Sequence, residues 1–173
     1  MFTHKFLNIL SLLLFGSVLL AACQPGSPPF ECTDAVGCVD ITPGEPIKIG
    51  ALQVLSGEVG PYGREQVQSI ETALADRGGE LLGHPIELQS EDSLCSEEGG
   101  TTAALKIVAD SQVVAIVGTT CSGAAVTAGK VMSEAGLVMV SASNTAPPLT
   151  AVGGERGSDW QPGYFRTAPN DVV

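Results

Sequence analysis

The sequence predicts an α/β fold in which helices cover both faces of a parallel sheet, giving three layers. Strand-like and helix-like segments alternate along residues 47–173, and helical crossovers between parallel strands produce this alternation. Residues 113–117 form an unbroken apolar run, which is typical of a strand covered on both faces. The segment 47–173 is long enough for one domain with its own hydrophobic core.

The individual elements follow from hydrophobic periodicity and from turn residues. Val67, Ile70 and Leu74 recur at helical spacing, and the pair Gly78-Gly79 ends that helix. The same reasoning along the chain predicts strands at 47–54, 86–92, 113–117, 137–140 and 164–167, and helices at 65–77, 97–110 and 122–135.

Residues 1–22 have the features of a signal peptide. Their apolar run, residues 6–20, is shorter than the roughly 18 apolar residues that a spanning helix needs. The run ends in Leu20-Ala21-Ala22-Cys23, which resembles a bacterial lipoprotein signal, so we expect Cys23 to carry lipid. The alternative is an ordinary export signal with an incidental cysteine. Residues 23–46 begin with a run rich in proline and glycine and are predicted to be a disordered tether.

The cysteine count favours the same exported location. If Cys23 carries lipid, four of the five cysteines remain, and they form two natural pairs, Cys32 with Cys38 and Cys95 with Cys121. An even number in an exported chain favours disulfides, with reduced thiols as the alternative for each pair. The sequence has no C-x-x-C spacing, so we predict no metal site and no cofactor.

The charge excludes nucleic acid as a partner. The whole chain has a net charge of −11, and removal of residues 1–22 takes away one lysine and no acid, which leaves 7 basic and 19 acidic residues and a charge of −12. A protein that binds phosphate backbones needs the opposite balance. The acidic residues are scattered along the chain, as on a solvated surface.

Two short segments indicate a site for a small polar ligand. Residues 116–124 and residues 141–147 each place small hydroxyl side chains and backbone N–H groups directly after an apolar, β-branched run. In an open α/β sheet, this is where loops at the carboxyl ends of strands bind anions and other polar ligands. The sequence therefore predicts a receptor for a small zwitterion or anion.

An enzymatic site is not expected. His84 is the one histidine beyond the predicted signal peptide, and it lies in a predicted turn far in sequence from Cys121, so no nucleophile–histidine pair is visible. Residues 118–123 have the glycine spacing of a phosphate-binding loop, but Ala124-Ala125 stands where that motif requires lysine and a hydroxyl. We predict that the chain is not an enzyme.

Several motifs together resemble one family. They are Ile49-Gly50, Leu55-Ser56-Gly57, Tyr62-Gly63, Glu91-Asp92 with Cys95, Val117-Gly118 with Cys121-Ser122, residues 143–147, and Phe165-Arg166-Thr167. In this order they resemble the N-terminal lobe of the leucine/isoleucine/valine-binding proteins, over about residues 47–171. These are substrate-binding components of ABC importers with the type I periplasmic-binding fold, so the resemblance implies the strand order 2-1-3-4-5 and a disulfide between Cys95 and Cys121.

The resemblance also implies roles for individual residues. Ser122 matches the serine that receives the ligand's α-carboxylate, and Thr145 matches the threonine that contacts carboxylate and ammonium. The Ser143 carbonyl matches the backbone acceptor of the ammonium, and Tyr62 matches an aromatic residue that lines the pocket. Because the family has small apolar residues where this chain has Ser143 and Asn144, an additional hydroxyl or amide is expected in the pocket. For Ser122, an ordinary helix cap is the alternative.

The function implied is that of a lipid-anchored solute-binding protein at the outer face of the membrane or in the periplasm. Its partners would be an amino acid or a related small polar compound, ABC permease subunits, and the membrane through the lipid. The sequence also predicts an incomplete receptor, because the second lobe, which carries the acidic partner of the ligand ammonium, does not follow. A sensor receptor of the same fold and a non-functional gene fragment are the alternatives.

Overall fold

A computed structural model of the chain describes residues 31–34 and 36–172. The predicted signal peptide, Cys23 and the first part of the predicted tether lie outside these described residues. Three α-helices are present in the described part, α1 (Gly60–Asp76), α2 (Glu97–Val108) and α3 (Ser122–Glu134), with a short 3₁₀ helix at Pro147–Leu149. The strands are β1 (Ile47–Gln53), β2 (Glu80–Leu81), β3 (His84–Asp92), β4 (Val113–Gly118), β5 (Val138–Ser141), β6 (Ala151–Val152), β7 (Glu155–Arg156) and β8 (Tyr164–Arg166).

One sheet carries the fold. Its strand order is β2-β3-β1-β4-β5-β8. Strand β2 runs antiparallel to β3, and every other neighbouring pair in this sheet is parallel. The five parallel strands have the predicted order 2-1-3-4-5, which is confirmed. The chain adds β3 on one side of β1 and then β4 on the other side. Because the order of strand addition reverses at β1, right-handed crossovers put α1 on one face and α2 with α3 on the other.

The main core lies between the sheet and the pair α2 and α3. Ile107 from α2, Ile116 from β4 and Met132 from α3 are all fully buried there. Each such side chain contributes about 1.5–3 kcal/mol through its removal from water. The two helices approach closely at Gly100, where an added Cβ would lie 2.4 Å from the Ala124 carbonyl oxygen, so a larger residue would force them apart.

The opposite face of the sheet is less completely covered. Along β5, Met139 is buried while Val138 and Val140 are half-buried, and Phe165 of β8, the register partner of Val140, is 56% exposed. Helix α1 lies on this face, and its apolar positions are only half-buried. We expected 113–117 to be covered on both faces. Val113 and Ile116 are buried, whereas the other three residues of this run are half-buried.

Two hairpins and one helix start were not predicted. Strands β2 and β3 are joined by Leu82-Gly83, both at positive φ, and β6 and β7 are joined by Gly153-Gly154, also both at positive φ. Such tight turns are set by backbone conformation and leave little hydrophobic periodicity to detect. Helix α1 begins at Gly60 rather than at residue 65. The first turn was missed because Gly60, Pro61 and Gly63 are usual turn residues, although proline is tolerated at the start of a helix.

The described end of the predicted tether is in contact with the lobe. Val39 packs against the hydrophobic core, and an added Cβ on Gly37 would lie 2.7 Å from the Gly136 carbonyl oxygen. A disulfide joins Cys32 to Cys38, with the Cα atoms 5.8 Å apart. Residues 36–39 therefore pack against the lobe near the start of β5. The boundary between tether and lobe stays a prediction.

Candidate functional site

The predicted site residues gather at the carboxyl ends of the parallel strands. The loop 119–121 leaves β4 and leads into α3, and the loop 142–146 leaves β5. Strands β1 and β4 flank the point where the strand order of the sheet reverses, and open α/β sheets bind ligands at this point. The location agrees with the expectation drawn from the sequence.

Helix α3 starts at the centre of this site without a side-chain cap. Its N-cap residue is Cys121, in extended conformation, and no side chain of the described residues accepts a hydrogen bond at this end. By contrast, the Ser96 hydroxyl caps α2 and accepts from the Gly99 N–H at 3.0 Å. The first N–H groups of a helix need a partner and carry the positive end of its dipole. The amino end of α3 is therefore open to an anion.

Ser122 is the first residue of α3 and is not its cap. Its hydroxyl oxygen accepts hydrogen bonds from the backbone N–H groups of Thr145 at 3.2 Å and of Ala146 at 3.3 Å. Because a hydroxyl has two acceptor lone pairs and one proton, this arrangement leaves the Ser122 proton free to donate. The alternative of an ordinary helix cap is wrong for this side chain.

Ser143 is tied to the neighbouring binding loop. Its hydroxyl donates to the Thr120 carbonyl at 2.9 Å, and its backbone N–H donates to the Ser141 hydroxyl oxygen at 3.1 Å. The hydroxyl is therefore used within the protein. The Ser143 carbonyl, the group matched to the ligand ammonium, receives no hydrogen bond from the described residues.

Asn144 does not present its side chain to the site, which corrects the expectation of an additional amide in the pocket. The residue is fully buried. Its side-chain amide donates to the Thr119 carbonyl at 2.8 Å and accepts from the Tyr164 hydroxyl at 2.9 Å. The amide is held inward because these buried partners satisfy it there, whereas the family resemblance had implied that it faces the pocket.

Tyr62 lies in the first turn of α1, rather than in a loop, and is 64% exposed. One turn later, the Gln66 side-chain oxygen lies 2.8 Å from the Thr120 hydroxyl, which is also 2.9 Å from the Gln53 side-chain oxygen. The Thr120 hydroxyl oxygen accepts from the Val54 N–H at 3.2 Å. This contact group joins α1 and the end of β1 to the loop that carries Ser122.

The predicted disulfide joins Cys95 to Cys121, with the Cα atoms 5.3 Å apart. It links the segment after β3 to the residue that precedes Ser122. The prediction of this pair and of Cys32 with Cys38 is confirmed by the structure. The Cys95–Cys121 bond therefore fixes one side of the β4–α3 loop.

Asp92 secures the loop after β1 to the end of β3. Its carboxylate accepts from the backbone N–H groups of Leu55 and Leu94, both at 2.9 Å. Partial burial alone would raise the pKa of Asp92, but the hydrogen bonds from Ser56, Leu55 and Leu94 outweigh it and lower the pKa below its usual value. The charged carboxylate is thus the form that the fold favours.

Two residues of β8 support the site, and we did not single them out from the sequence. The Arg166 guanidinium donates to the carbonyl oxygens of Asn144 at 3.3 Å and Ala146 at 2.9 Å, and to the Thr150 hydroxyl at 2.5 Å. Burial raises the pKa of Tyr164 to about 12, so its hydroxyl remains a donor at neutral pH. Arg166 belongs to a motif that supported the family resemblance, which was the signal available.

Three further features of the described residues concern metal binding, membrane spans and a separate groove. Among residues 31–34 and 36–172, no group of three histidine, cysteine, aspartate or glutamate side chains is arranged to hold a metal ion. None of the helices in this part of the chain combines the length and apolar character needed to cross a membrane. A groove of about 510 Å³ beside β6 and β7 contains Trp160 and Phe165 but neither Ser122 nor Thr145.

The chain is similar to known proteins in both sequence and structure. The Leu/Ile/Val-binding protein of Escherichia coli K12 is 28% identical over 141 residues, which covers 80% of this chain and 35% of that protein. A chemotactic signal transduction system substrate-binding protein, BasB of Halobacterium salinarum, is 31% identical over 132 residues, which covers 74% of this chain and 31% of the relative. The chain thus spans about a third of the length of the curated relatives it matches.

The structural comparison gives the same fold. The branched-chain amino acid transporter substrate-binding protein LivJ of Streptococcus pneumoniae, solved in complex with isoleucine, aligns with a TM-score of 0.63 and 27% identity. The alignment covers 73% of this chain and 35% of LivJ. The family model described as periplasmic binding protein matches residues 46–171. It is a family of binding proteins, in agreement with the prediction that the chain is not an enzyme, and this chain belongs to the periplasmic binding protein family.

Proposed function

We propose that the chain is the N-terminal ligand-binding part of an extracytoplasmic solute-binding protein of an ABC importer for a branched-chain or other amino acid. In this proposal, the amino end of α3 binds the ligand's α-carboxylate and no chemistry follows. Residues 1–22 are a signal peptide, Cys23 carries the lipid anchor, residues 23–46 are the tether and residues 47–173 are the lobe. The permease subunits are the protein partners.

The observation that carries the proposal is the uncapped amino end of α3 beside the Ser122 hydroxyl. The free N–H groups, the helix dipole and the Ser122 proton all favour a negatively charged oxygen at this point. The described residues place no carboxylate in the first turn of α3 to satisfy them. An α-carboxylate of a bound amino acid would do so by charge-assisted hydrogen bonds, which are the strong ones.

The ammonium end of the ligand would lie over the loop after β5. The Ser143 carbonyl and the Thr145 hydroxyl are the acceptors available there, and Ser122 and Thr145 are already joined by a hydrogen bond. Tyr62 would flank the ligand from α1. A buried zwitterion needs partners at both ends, because an unpaired charged group loses its hydration without compensation.

Binding by this chain alone should be weak. A single lobe contacts the ligand from one side and leaves its other side in water. Since each tenfold in affinity corresponds to about 1.4 kcal/mol, we expect a Kd in the millimolar range or weaker.

A second candidate function is a sensor that presents a ligand to a signalling receptor. It is favoured by the relative from Halobacterium salinarum, which is described as part of a chemotactic signal transduction system. Both functions use the same ligand site. Cross-linking in cells distinguishes them, because an importer component should be captured with permease subunits and a sensor component with a signalling receptor.

The test of the site is an NMR titration of the ¹⁵N-labelled chain with L-leucine and with L-leucinamide, which lacks the carboxylate. We expect leucine to shift the amide signals of Ser122, Gly123, Ala124 and Thr145, and leucinamide to shift them at least tenfold less at equal concentration. Equal shifts with both compounds, or leucine shifts confined to other parts of the chain, would refute carboxylate binding at α3.

A further inference from the structure

Within the proposed ligand site, we propose that Asn144 is the positioning residue. Its buried side chain fixes the loop after β5 against the loop after β4, and thereby sets the alignment of Ser122 with Thr145. Asn144 itself does not touch the ligand. The inference rests on the proposed function for its relevance to binding, but the alignment it describes is a property of the protein alone.

The amide of Asn144 has a complete set of partners. Its nitrogen donates to the Thr119 carbonyl at 2.8 Å and to the Thr119 hydroxyl oxygen at 3.2 Å, and its oxygen accepts from the Tyr164 hydroxyl at 2.9 Å. Because a carbonyl oxygen can only accept, the nitrogen must face Thr119, which fixes the orientation of the amide. One side chain thus joins the end of β4, the loop after β5 and β8.

The main chain of the same residue is held from two further directions. Its N–H donates to the Ser141 hydroxyl oxygen at 2.9 Å, and its carbonyl accepts from Arg166 at 3.3 Å. The neighbouring residues are the two matched to the ligand ammonium, Ser143 and Thr145. Rotation at residue 144 would therefore move the Ser143 carbonyl and withdraw the Thr145 N–H from the Ser122 hydroxyl.

The chemistry of this cluster predicts a pH-dependent variant. In Asn144→Asp, a protonated carboxyl group can replace the two shortest bonds of the amide, since its O–H donates to the Thr119 carbonyl and its carbonyl accepts from Tyr164. An ionised carboxylate has no donor for Thr119 and is costly to bury. The ionisable groups facing residue 144 are the Tyr164 hydroxyl and the Arg166 guanidinium, both from β8. The contacts from β4 and β5 are with uncharged Thr119 and Ser141.

Two opposing effects set the sign. Burial and the Thr119 carbonyl, which needs a donor, raise the pKa of an aspartate at 144, whereas the Arg166 guanidinium, which bonds to the main-chain carbonyl of this residue, lowers it. We expect the first two effects to be larger, so the folded-state pKa lies above its ordinary value near 4, and the native arrangement of the variant is favoured at low pH and lost as the pH rises. The wild-type amide does not titrate. Only the aspartate variant should therefore change its loop geometry between about pH 4.5 and 7.5.

The experiment measures amide hydrogen exchange in the full chain at residues 145 and 146, whose N–H groups bind the Ser122 hydroxyl. Protection factors, corrected for the intrinsic effect of pH, are compared at pH 4.5 and 7.5. Asn144→Asp should retain near-native protection at pH 4.5 and lose at least tenfold at pH 7.5, whereas Asn144→Ala should be tenfold less protected at both. The matched control is Ile107→Ala, a buried substitution in α2 away from this loop, which should leave these two protection factors unchanged while the chain stays folded.

A leucine titration by NMR accompanies each sample. In Asn144→Asp, the shift of the Ser122 amide per unit of leucine should fall at least tenfold between pH 4.5 and 7.5, with no such change in the wild type. Equal protection of Asn144→Asp at the two pH values, or the same loss in Ile107→Ala, would overturn the positioning role. If exchange behaves as expected but the wild type shows no leucine-dependent shift, the positioning role stands and the proposed function fails.

Discussion

The Thr145 backbone N–H donates to the Ser122 hydroxyl oxygen at 3.2 Å, across 23 residues of sequence. This bond joins the amino end of α3 to the loop after β5, the two segments that the sequence marked separately as rich in small hydroxyl residues. It also determines which way the Ser122 proton can point, because both acceptor positions of the hydroxyl are taken by backbone donors. The two segments are thus held together by contacts of the protein alone.

Replacing Thr145 by alanine should weaken ligand binding with little effect on stability. The change removes one hydroxyl that we assign to the ligand, worth roughly 1.5–3 kcal/mol when it is bonded to a charged group. The backbone N–H that binds Ser122 remains. We expect the NMR shift of the Ser122 amide per unit of leucine to fall at least tenfold, with an unchanged midpoint of urea unfolding.

The matched variant is Thr145→Ser, which keeps the hydroxyl and should bind close to the wild type. If Thr145→Ser loses as much as Thr145→Ala, the methyl group or the loop conformation matters and the hydroxyl has no direct role.

Removing the Cys95–Cys121 disulfide should destabilise the lobe more than removing Cys32–Cys38. The two bonds have sequence separations of 26 and 6 residues. In the chain-entropy model these loops correspond to roughly 3.5 and 2 kcal/mol. Denaturant unfolding of the two double-alanine variants measures the difference. A larger loss for the Cys32 and Cys38 variant would contradict this order and would point to the contact of residues 36–39 with the core as the dominant effect.

The ionised Asp92 carboxylate should stabilise the folded chain. Its contribution to the free energy of unfolding is fully present above the ordinary carboxylate pKa, near 4, and is lost as the pH falls through the lowered folded-state pKa. Asp92→Asn weakens two charge-assisted backbone hydrogen bonds, so we expect a loss of roughly 1–2 kcal/mol at pH 7. The difference from the wild type should shrink as the pH is lowered from 4 to 2. Urea unfolding at several pH values measures it.

The control is Asp76→Asn at the exposed end of α1, which removes a carboxylate outside this loop and should leave the midpoint of urea unfolding at pH 7 unchanged. A difference between wild type and Asp92→Asn that stays constant from pH 7 to 2 would show that the charge of Asp92 is not what holds the loop.

Cys23→Ser should abolish lipid attachment and release the exported protein from the membrane fraction. The basis is the segment Leu20-Ala21-Ala22-Cys23, which lies outside the residues that the structure describes. Intact mass and membrane partition of wild type and variant measure the effect. The variant Cys32→Ser, which removes a different cysteine, should stay lipidated. An unchanged mass and partition in Cys23→Ser would contradict the anchor.

The parallel strands and the helices were predictable because their signals are local. Val67, Ile70 and Leu74 repeat at helical spacing, and an unbroken apolar run such as 113–117 has few other interpretations. Once these elements are placed, the crossover rule brings Ser122 and the loop after β5 to the same edge of the sheet. The general position of the site was therefore available from sequence.

The role of Asn144 was not available from sequence, because it depends on partners far along the chain. A polar residue between Ser143 and Thr145 was expected to face the pocket, and only the fold brings Tyr164 and Thr119 to within bonding distance of it. The same is true of Arg166, whose three acceptors belong to the segment 144–150. Long-range polar contacts leave no periodic pattern in the sequence, whereas the buried face of a helix or strand does.

The most direct test of carboxylate binding by Ser122 is a double comparison of Ser122→Ala with wild type and of L-leucine with L-leucinamide. If Ser122 binds the carboxylate, leucinamide should bind the wild type at least tenfold more weakly than leucine does, and the variant should discriminate much less, because its contact is already lost. Initial NMR shift slopes at Gly123 and Ala124 provide all four values. If the two losses simply add, so that variant and wild type discriminate equally, Ser122 does not bind the carboxylate and the account is wrong.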